Sequence, residues 1–250
     1  MHRPRGAWFS RAVTHAPPNP AVRAAVRQGL SVAVATGLYG ISFGALSVAA
    51  GIGVLPTMAL SLLLFSGGSQ FALVGVVGAG GSPVAAVATA ALLGARNTLY
   101  GAVVTPLLRV HGLRRVAAAQ LTIDESTAVA TAQTDTRAAR AGFWVAGGGV
   151  FVLWNSFTLL GALAGHAMGD PRAWGLDAAA AAAFLALVWP RLASRTAQLV
   201  AGIAVVVSAG LIPLVPSGVP VLAAAASAIA VGVVAGRPER ARDADAQVDA

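Results

Sequence analysis

The sequence predicts an all-α integral membrane protein, a polytopic helical bundle with an even number of crossings, from six to eight. Three observations predict this class. Of the 250 residues 57% are hydrophobic, only 10% are charged, and the mean hydropathy is +0.75. Soluble domains typically carry about 25% charged residues, so this chain has too few to cover a surface in water. The apolar residues also form long blocks, as in membrane-spanning helices.

The first 28 residues are predicted to be a basic cytoplasmic tail that ends in an interfacial helix. They hold five arginines and lack the short apolar core and small-residue cleavage site of a secretory signal. Asn19 and Pro20 are typical of an N-cap and a first helical position. We therefore expect a basic helix over residues 20–29 that leads into the first span.

A transmembrane domain is predicted over residues 29–236. About 20 apolar residues cross a hydrocarbon core of roughly 30 Å as a helix. Seven blocks are candidates for such crossings: 30–50, 55–79, 83–108, 143–165, 175–190, 197–212 and 217–235. Residues 237–250 mix arginine and aspartate without apolar content, so they are predicted to be a disordered cytoplasmic tail.

The positions of the arginines argue against seven simple crossings. Cytoplasmic loops are enriched in basic residues, and every basic residue of this chain is an arginine. With the N-terminal tail in the cytoplasm, seven crossings place the arginines of 109–140, of 191–195 and of the C-terminal tail outside. One change of parity before residue 142 returns the later arginines to the cytoplasm. We therefore predict an even number of crossings with both termini cytoplasmic.

Two arrangements produce this change of parity. Either one block between 55 and 108 is broken or re-entrant, with Gly67 and Gly68 as the candidate break point, or residues 115–136 form an additional polar crossing. The second arrangement must carry Asp124 and Glu125 through the membrane. The first places every arginine of 109–140 inside, and we favour it for that reason.

Composition and motifs also exclude several classes of function. The net charge of +8 would suggest a nucleic-acid partner in a soluble protein, but here the arginines lie in the tails and between apolar blocks. Cysteine is absent, and the four histidines show no metal-ligand spacing. Phosphate-binding-loop and nucleophile-elbow signatures are missing too. We expect no enzymatic activity, metal, cofactor or nucleic acid.

The stretch "FSGGSQF", residues 65–71, places Gly67, Gly68, Ser69 and Gln70 inside an apolar block. Non-helical backbone occurs in a bilayer only where protein or water surrounds it. Broken helices of this kind supply substrate sites in many transporters, so a broken or re-entrant helix is predicted around 65–71. The alternative is close helix packing through small residues, and both interpretations stay open.

Two other small-residue patterns are predicted to be packing faces. They are Gly40-xxx-Gly44 and Gly161-xxx-Gly165, whose glycines allow two helix backbones to approach closely.

Arg96 interrupts a second block within "LLGARNTLYG", and we predict another interruption around 94–98. An arginine this deep costs at least about 2.5–3.5 kcal/mol, so it should face a partner or a wet cavity. Its guanidinium can hold a substrate carboxylate bidentately. The alternative is a structural ion pair with Asp124 or Glu125. Asn97 and Tyr100 flank Arg96, and Tyr100 lies one helical turn further on.

The stretch "QLTIDESTAVATAQ" places the adjacent carboxylates Asp124 and Glu125 in a mildly apolar environment. If desolvated, one of them could hold a proton, which a proton-coupled carrier needs. At the cytoplasmic surface both would be solvated or paired with Arg114 and Arg115. Spacing alone slightly favours the solvated interpretation.

The order of these motifs resembles that of the AzlC family, the large subunit of branched-chain amino acid exporters of the LIV-E type. "FSGGSQF" is similar to the family's F-[AS]-G-[AGS]-[AS]-Q-F segment, "RNTLYG" to R-[HN]-x-L-Y-G, and "LTIDEST" to L-T-D-E-[ST]. The likeness extends over about residues 29–235. Two departures are Ile123, which separates Thr122 from Asp124, and Asn97, where histidine is common in the family.

The resemblance implies a multi-pass exporter of leucine, isoleucine and valine in the bacterial plasma membrane, with a small hydrophobic AzlD-type membrane subunit as partner. A non-transporting scaffold or regulatory subunit is the alternative. By motif match, the resemblance makes Gln70, Arg96, Asp124 and Glu125 candidate functional positions. The full set of substrate-binding candidates is Gly67, Gly68, Ser69, Gln70, Arg96, Asn97 and Tyr100, with Asp124 and Glu125 as proton-coupling candidates.

Overall fold

The computed structural model of the chain describes residues 19–168, 185 and 188–232, and every regular element in them is a helix. This part of the chain confirms the predicted all-α class. The block at 175–190 lies largely, and the C-terminal tail entirely, outside the described residues. The helices are α1 (Pro20–Ala49), α2 (Val54–Leu63), α3 (Gly67–Gly78), α4 (Pro83–Gly94), α5 (Arg96–Leu108), α6 (Leu113–Gln120), α7 (Asp124–Thr131), α8 (Thr136–Met168), a 3-10 helix (Trp189–Ala193), α9 (Arg195–Leu211) and α10 (Val219–Gly232).

Two helices of the described part, α1 and α8, are long and apolar enough to cross a membrane. At the start of α1 the Asn19 side chain accepts a hydrogen bond from the Ala21 N–H at 3.0 Å, and Pro20 takes the first turn, as predicted. The helix continues without a break to Ala49. The predicted interfacial segment 20–29 and the block 30–50 are therefore one helix.

Glycines bring the backbones of α1 and α8 into direct contact. A Cβ atom at Gly40 would lie 2.6 Å from the carbonyl oxygen of Trp154, and one at Gly44 would overlap the carbonyl oxygen of Thr158. Gly161 contacts α1 in the same way. A side chain at any of these positions would separate the helices. Both predicted packing faces are confirmed.

Three interrupted helices follow α1 along the chain. Residues 64–66 separate α2 from α3, Ala95 separates α4 from α5, and residues 121–123 separate α6 from α7. The six half-helices have between 8 and 13 residues. At about 1.5 Å per residue, none of them crosses a hydrocarbon core of roughly 30 Å alone.

The first interruption confirms the broken helix predicted around 65–71. Leu64 (φ −92°, ψ 52°) and Ser66 (φ −157°, ψ 96°) leave the helical conformation, whereas Gly67 and Gly68 begin α3. The helix therefore breaks just before the two glycines named as the candidate break point and not at them, and Gly68 leaves space for Arg96, as described below. The second interruption, predicted around 94–98, is only Ala95, which keeps helical angles (φ −56°, ψ −28°).

The α6–α7 segment packs into the bundle. Helix α7 contacts α1, α5 and α8, and Asp124, Ser126 and Thr127 are buried. The expectation of a solvated carboxylate is therefore wrong for Asp124, because the packing of α7 against the other helices buries this side chain. Each of the two arrangements proposed for the change of parity involves a segment that is an interrupted helix in the structure, α2–α3 in the first and α6–α7 in the second. The even number of crossings stays a prediction.

Substitution at the α1–α8 crossing should be costly. We expect Gly44→Ala to lower the free energy of unfolding by about 1–3 kcal/mol, because the new methyl group forces the two backbones apart. Chemical unfolding of the purified chain in detergent measures this change. The control is Gly75→Ala in α3, where a Cβ atom meets nothing within 4 Å. Equal effects of the two substitutions would contradict the crossing described here.

Candidate functional site

The first two interruptions contact each other. A Cβ atom at Gly68, in the first turn of α3, would lie 2.8 Å from Nη2 and 3.0 Å from Nη1 of Arg96. A Cβ atom at Gly94, at the end of α4, would lie 3.3 Å from the Ser69 hydroxyl oxygen. Gly68 thus leaves the space that the guanidinium occupies. The motifs "FSGGSQF" and "RNTLYG" form one site.

The third interruption joins this site through an ion pair. Nη2 of Arg96 lies 3.2 Å from Oδ2 of Asp124, the first residue of α7. The side chain of Asp124 is 7% exposed and that of Arg96 is 29% exposed. A carboxylate at a helix N-terminus is also stabilised by the helix dipole. The ion pair offered as one alternative for Arg96 is therefore present, and its partner is Asp124.

The long helices show how deep the site lies. Glu125, next to Asp124, interacts with the side chain of Thr36 on α1. A Cβ atom at Gly67 would lie 3.4 Å from Cη2 of Trp154 on α8. Thr36 and Trp154 are each about 20–27 Å along the axis from the ends of the helices that carry them, α1 and α8. The three interruptions therefore meet near the middle of the bundle's depth.

Two glutamines satisfy the broken end of α2. The Gln70 side chain is fully buried, and its Nε2 donates to the carbonyl oxygens of Leu60 at 3.1 Å and Ser61 at 3.4 Å. Nε2 of Gln120 donates to the carbonyl oxygen of Leu62 at 2.8 Å. The last carbonyls of a helix lack partners within it, so these amides supply donors for Ser61 and Leu62, while the carbonyl of Leu60 also accepts from the N–H of Leu64 at 2.9 Å. Binding of substrate by Gln70 stays a prediction.

Several buried polar atoms of the site have no hydrogen-bond partner. Buried polar groups are nearly always paired, so such atoms point to a place where a polar solute is met. Of the eight such atoms in the described residues, six belong to residues of the three motifs or to Trp154: Gln70 Oε1, Arg96 Nε, Asn97 Oδ1, Asp124 Oδ1, Thr127 Oγ1 and Trp154 Nε1. Ser69 instead donates to the hydroxyl of Ser66 at 3.2 Å, and Tyr100 lies one turn further along α5 than Arg96.

An aromatic cluster beside the ion pair was not predicted. The Trp154 ring stacks on Phe43 at a centroid distance of 6.0 Å and meets the edge of Phe71 at 6.1 Å. Like Thr36, Trp154 gives little signal in a sequence, because an aromatic residue in an apolar block is ordinarily a core residue. The polar Asn155 next to Trp154, in the middle of block 143–165, was the feature of the sequence that could have indicated this position.

The site thus offers three kinds of contact. Arg96 and the free N–H groups at the start of α3 can receive an anion. Asp124 can receive a cation, and the ring cluster gives an apolar wall. In the described residues, no three histidine, aspartate or glutamate side chains are placed to hold a metal ion.

Comparison with known proteins gives one family. The family model described as AzlC protein matches residues 31–168, which is more than half of the chain and includes all the motif residues of the site. No curated protein and no solved structure gives a significant match.

Loss of either partner of the ion pair should leave a buried charge without compensation. We expect Arg96→Ala and Asp124→Ala each to lower the free energy of unfolding by about 1–3 kcal/mol, and the double variant to lose less than the sum. A double-mutant cycle in detergent measures this coupling. The control cycle combines Asp124→Ala with Arg114→Ala on the exposed face of α6 and should be additive. Additive losses in the first cycle would contradict the ion pair.

Proposed function

This chain belongs to the AzlC family of transport-associated membrane proteins, and from that premise we propose that it is the large subunit of a secondary exporter of branched-chain amino acids. The substrates are leucine, isoleucine and valine, and the reaction is passage across the bacterial plasma membrane without chemical change. The small hydrophobic partner is of the AzlD type. The proposal includes an even number of crossings and two cytoplasmic termini.

The observation that supports this proposal most is the Arg96–Asp124 ion pair at the meeting point of three interrupted helices. Ionisable residues inside a membrane bundle are costly, and they mark substrate or ion pathways. Interrupted helices at mid-depth likewise supply the polar backbone groups of many transporter sites.

The pair has opposite charges in the arrangement that a zwitterion requires. The carboxylate of an amino acid competes with Asp124 for the guanidinium of Arg96, and its ammonium group competes with Arg96 for Asp124. Oδ1 of Asp124 and Nε of Arg96 have no hydrogen-bond partner. Asp124 can therefore accept, and Arg96 can donate, a second hydrogen bond before the ion pair between them breaks. Gly67, Gly68 and Ser69 add the N–H groups at the start of α3.

The apolar wall favours a branched aliphatic side chain over a polar one. Phe43, Phe71 and Trp154 form this wall next to Gly67. One methylene group more or less in the substrate's side chain changes the free energy of binding to such a wall by only about 1–3 kcal/mol. The exporter therefore tolerates related apolar amino acids, including methionine.

A scaffold or regulatory subunit is the second candidate. The observation that favours it is that the Arg96–Asp124 ion pair joins α5 to α7, which is also what a purely structural contact would do. Reconstitution in liposomes with the small partner distinguishes the two functions, because only an exporter produces flux of labelled leucine.

Arg96 should be required for export. We expect Arg96→Ala to reduce efflux of labelled leucine at least about 100-fold, since the substrate carboxylate loses its charged partner. The assay uses cells that lack the native genes and are loaded with a leucine-containing dipeptide. Membrane levels of the variant are measured in parallel, and Arg114→Ala is the control with unchanged efflux. Efflux by Arg96→Ala at the control rate would exclude the proposed site.

Asp124 and Glu125 are the proposed proton-coupling groups. We expect Glu125→Gln to abolish efflux driven by a pH gradient in liposomes while exchange of labelled for unlabelled leucine continues, because the amide binds no proton in this range. Asp124→Asn is the second variant and should lower both fluxes, because Asp124 also receives the ammonium group of the substrate. Equal loss of exchange and of gradient-driven flux in Glu125→Gln would contradict a coupling role for Glu125.

A further inference from the structure

A second site lies away from the ion pair, between the C-terminal half of α5 and α6. It is a pocket of about 540 Å³, a volume within the range of small-molecule sites. Its inner wall is apolar and includes the buried side chains of Val104, Leu108 and Ala118. None of the motif residues proposed to bind the amino acid lines it. This pocket is therefore separate from the proposed amino-acid site.

The mouth of the pocket is basic. Arg109, His111 and Arg115 line it, and all three are exposed. Within the described part of the chain, no acidic side chain lines the pocket, and neither arginine forms an ion pair. Arg109 adopts a left-handed conformation (φ 50°), which is uncommon for residues other than glycine and ends α5 at the mouth. The mouth is built to attract an anion.

Helix α6 places this mouth at a membrane surface. Leu113 and Val116 are 88% and 67% exposed, and they flank Arg114 and Arg115 along the helix. Exposed apolar side chains beside arginines are typical of helices that lie at the headgroup level of a bilayer. Basic pockets at this level between membrane helices bind anionic lipid headgroups.

We propose that this pocket binds an anionic phospholipid, with the phosphate between Arg109 and Arg115 and part of an acyl chain along Val104, Leu108 and Ala118. The apolar wall distinguishes a lipid from a free phosphate, since inorganic phosphate would leave that wall in contact with water. The proposal does not depend on what the Arg96–Asp124 site transports.

The test is native mass spectrometry of the purified full chain released from nanodiscs. The nanodiscs contain phosphatidylglycerol and phosphatidylcholine with the same acyl chains. We expect the wild-type chain to retain phosphatidylglycerol at least about tenfold over phosphatidylcholine, and the double variant Arg109→Ala/Arg115→Ala to lose this preference. The matched control is Arg114→Ala, which removes a neighbouring charge that does not line the pocket, and it should stay within about twofold of the wild type.

Further arms distinguish the source of the anion. Ala118→Leu fills the apolar wall and should reduce retained lipid without changing the basic mouth. Millimolar inorganic phosphate should not displace the lipid from the wild-type chain. The proposal is overturned if phosphate displaces the lipid, or if Arg114→Ala loses the preference as fully as the double variant. It is also overturned if the double variant retains phosphatidylglycerol like the wild type. Monodisperse elution of each variant confirms folding.

Discussion

One ion pair between a partly buried arginine and a buried aspartate constrains this structure. Arg96 lies near the middle of an apolar bundle, where an arginine without a partner would be costly, and Asp124 neutralises it at 3.2 Å. The pair can form only if the α4–α5 segment and the α6–α7 segment bring their interruptions to the same depth. Gly68 of α3 completes the arrangement, because any side chain there would overlap the guanidinium.

The remaining polar groups serve the interruptions that this pair requires. A broken helix exposes carbonyl groups, and Gln70 and Gln120 donate to those of α2. The long helices α1 and α8 provide the frame, and the glycines at their crossing let them pack closely enough to act as one unit. The interrupted helices are thus held by side-chain hydrogen bonds and one ion pair, while the frame is held by backbone contact.

The sequence predicts the residues of the site better than their arrangement. Arg96, Gln70 and Asp124 stand out because charged and amide side chains are rare in apolar blocks, and the family model confirms the family that their motifs indicate. Gly67 and Gly68 were predicted as the break point, but the helix breaks just before them, and Gly68 leaves space for Arg96. The burial of Asp124 and the contact of Trp154 with α3 depend on distances between helices that are far apart in the chain. Local pattern carries no information about such distances, so these features could not be predicted.

Contact between the first two interruptions is the central claim of this account, and disulfide formation tests it most directly. The native chain has no cysteine. We therefore replace Ser69 and Gly94 by cysteine (Ser69→Cys and Gly94→Cys). The Ser69 hydroxyl oxygen, whose place one sulfur atom would take, lies 3.3 Å from a Cβ atom at position 94, and this distance suits the geometry of a disulfide. After mild oxidation in native membranes, this pair should become protected from maleimide labelling, whereas the pair Gly75→Cys and Gly94→Cys should stay reactive. Equal reactivity of both pairs after oxidation would contradict the meeting of the interrupted helices.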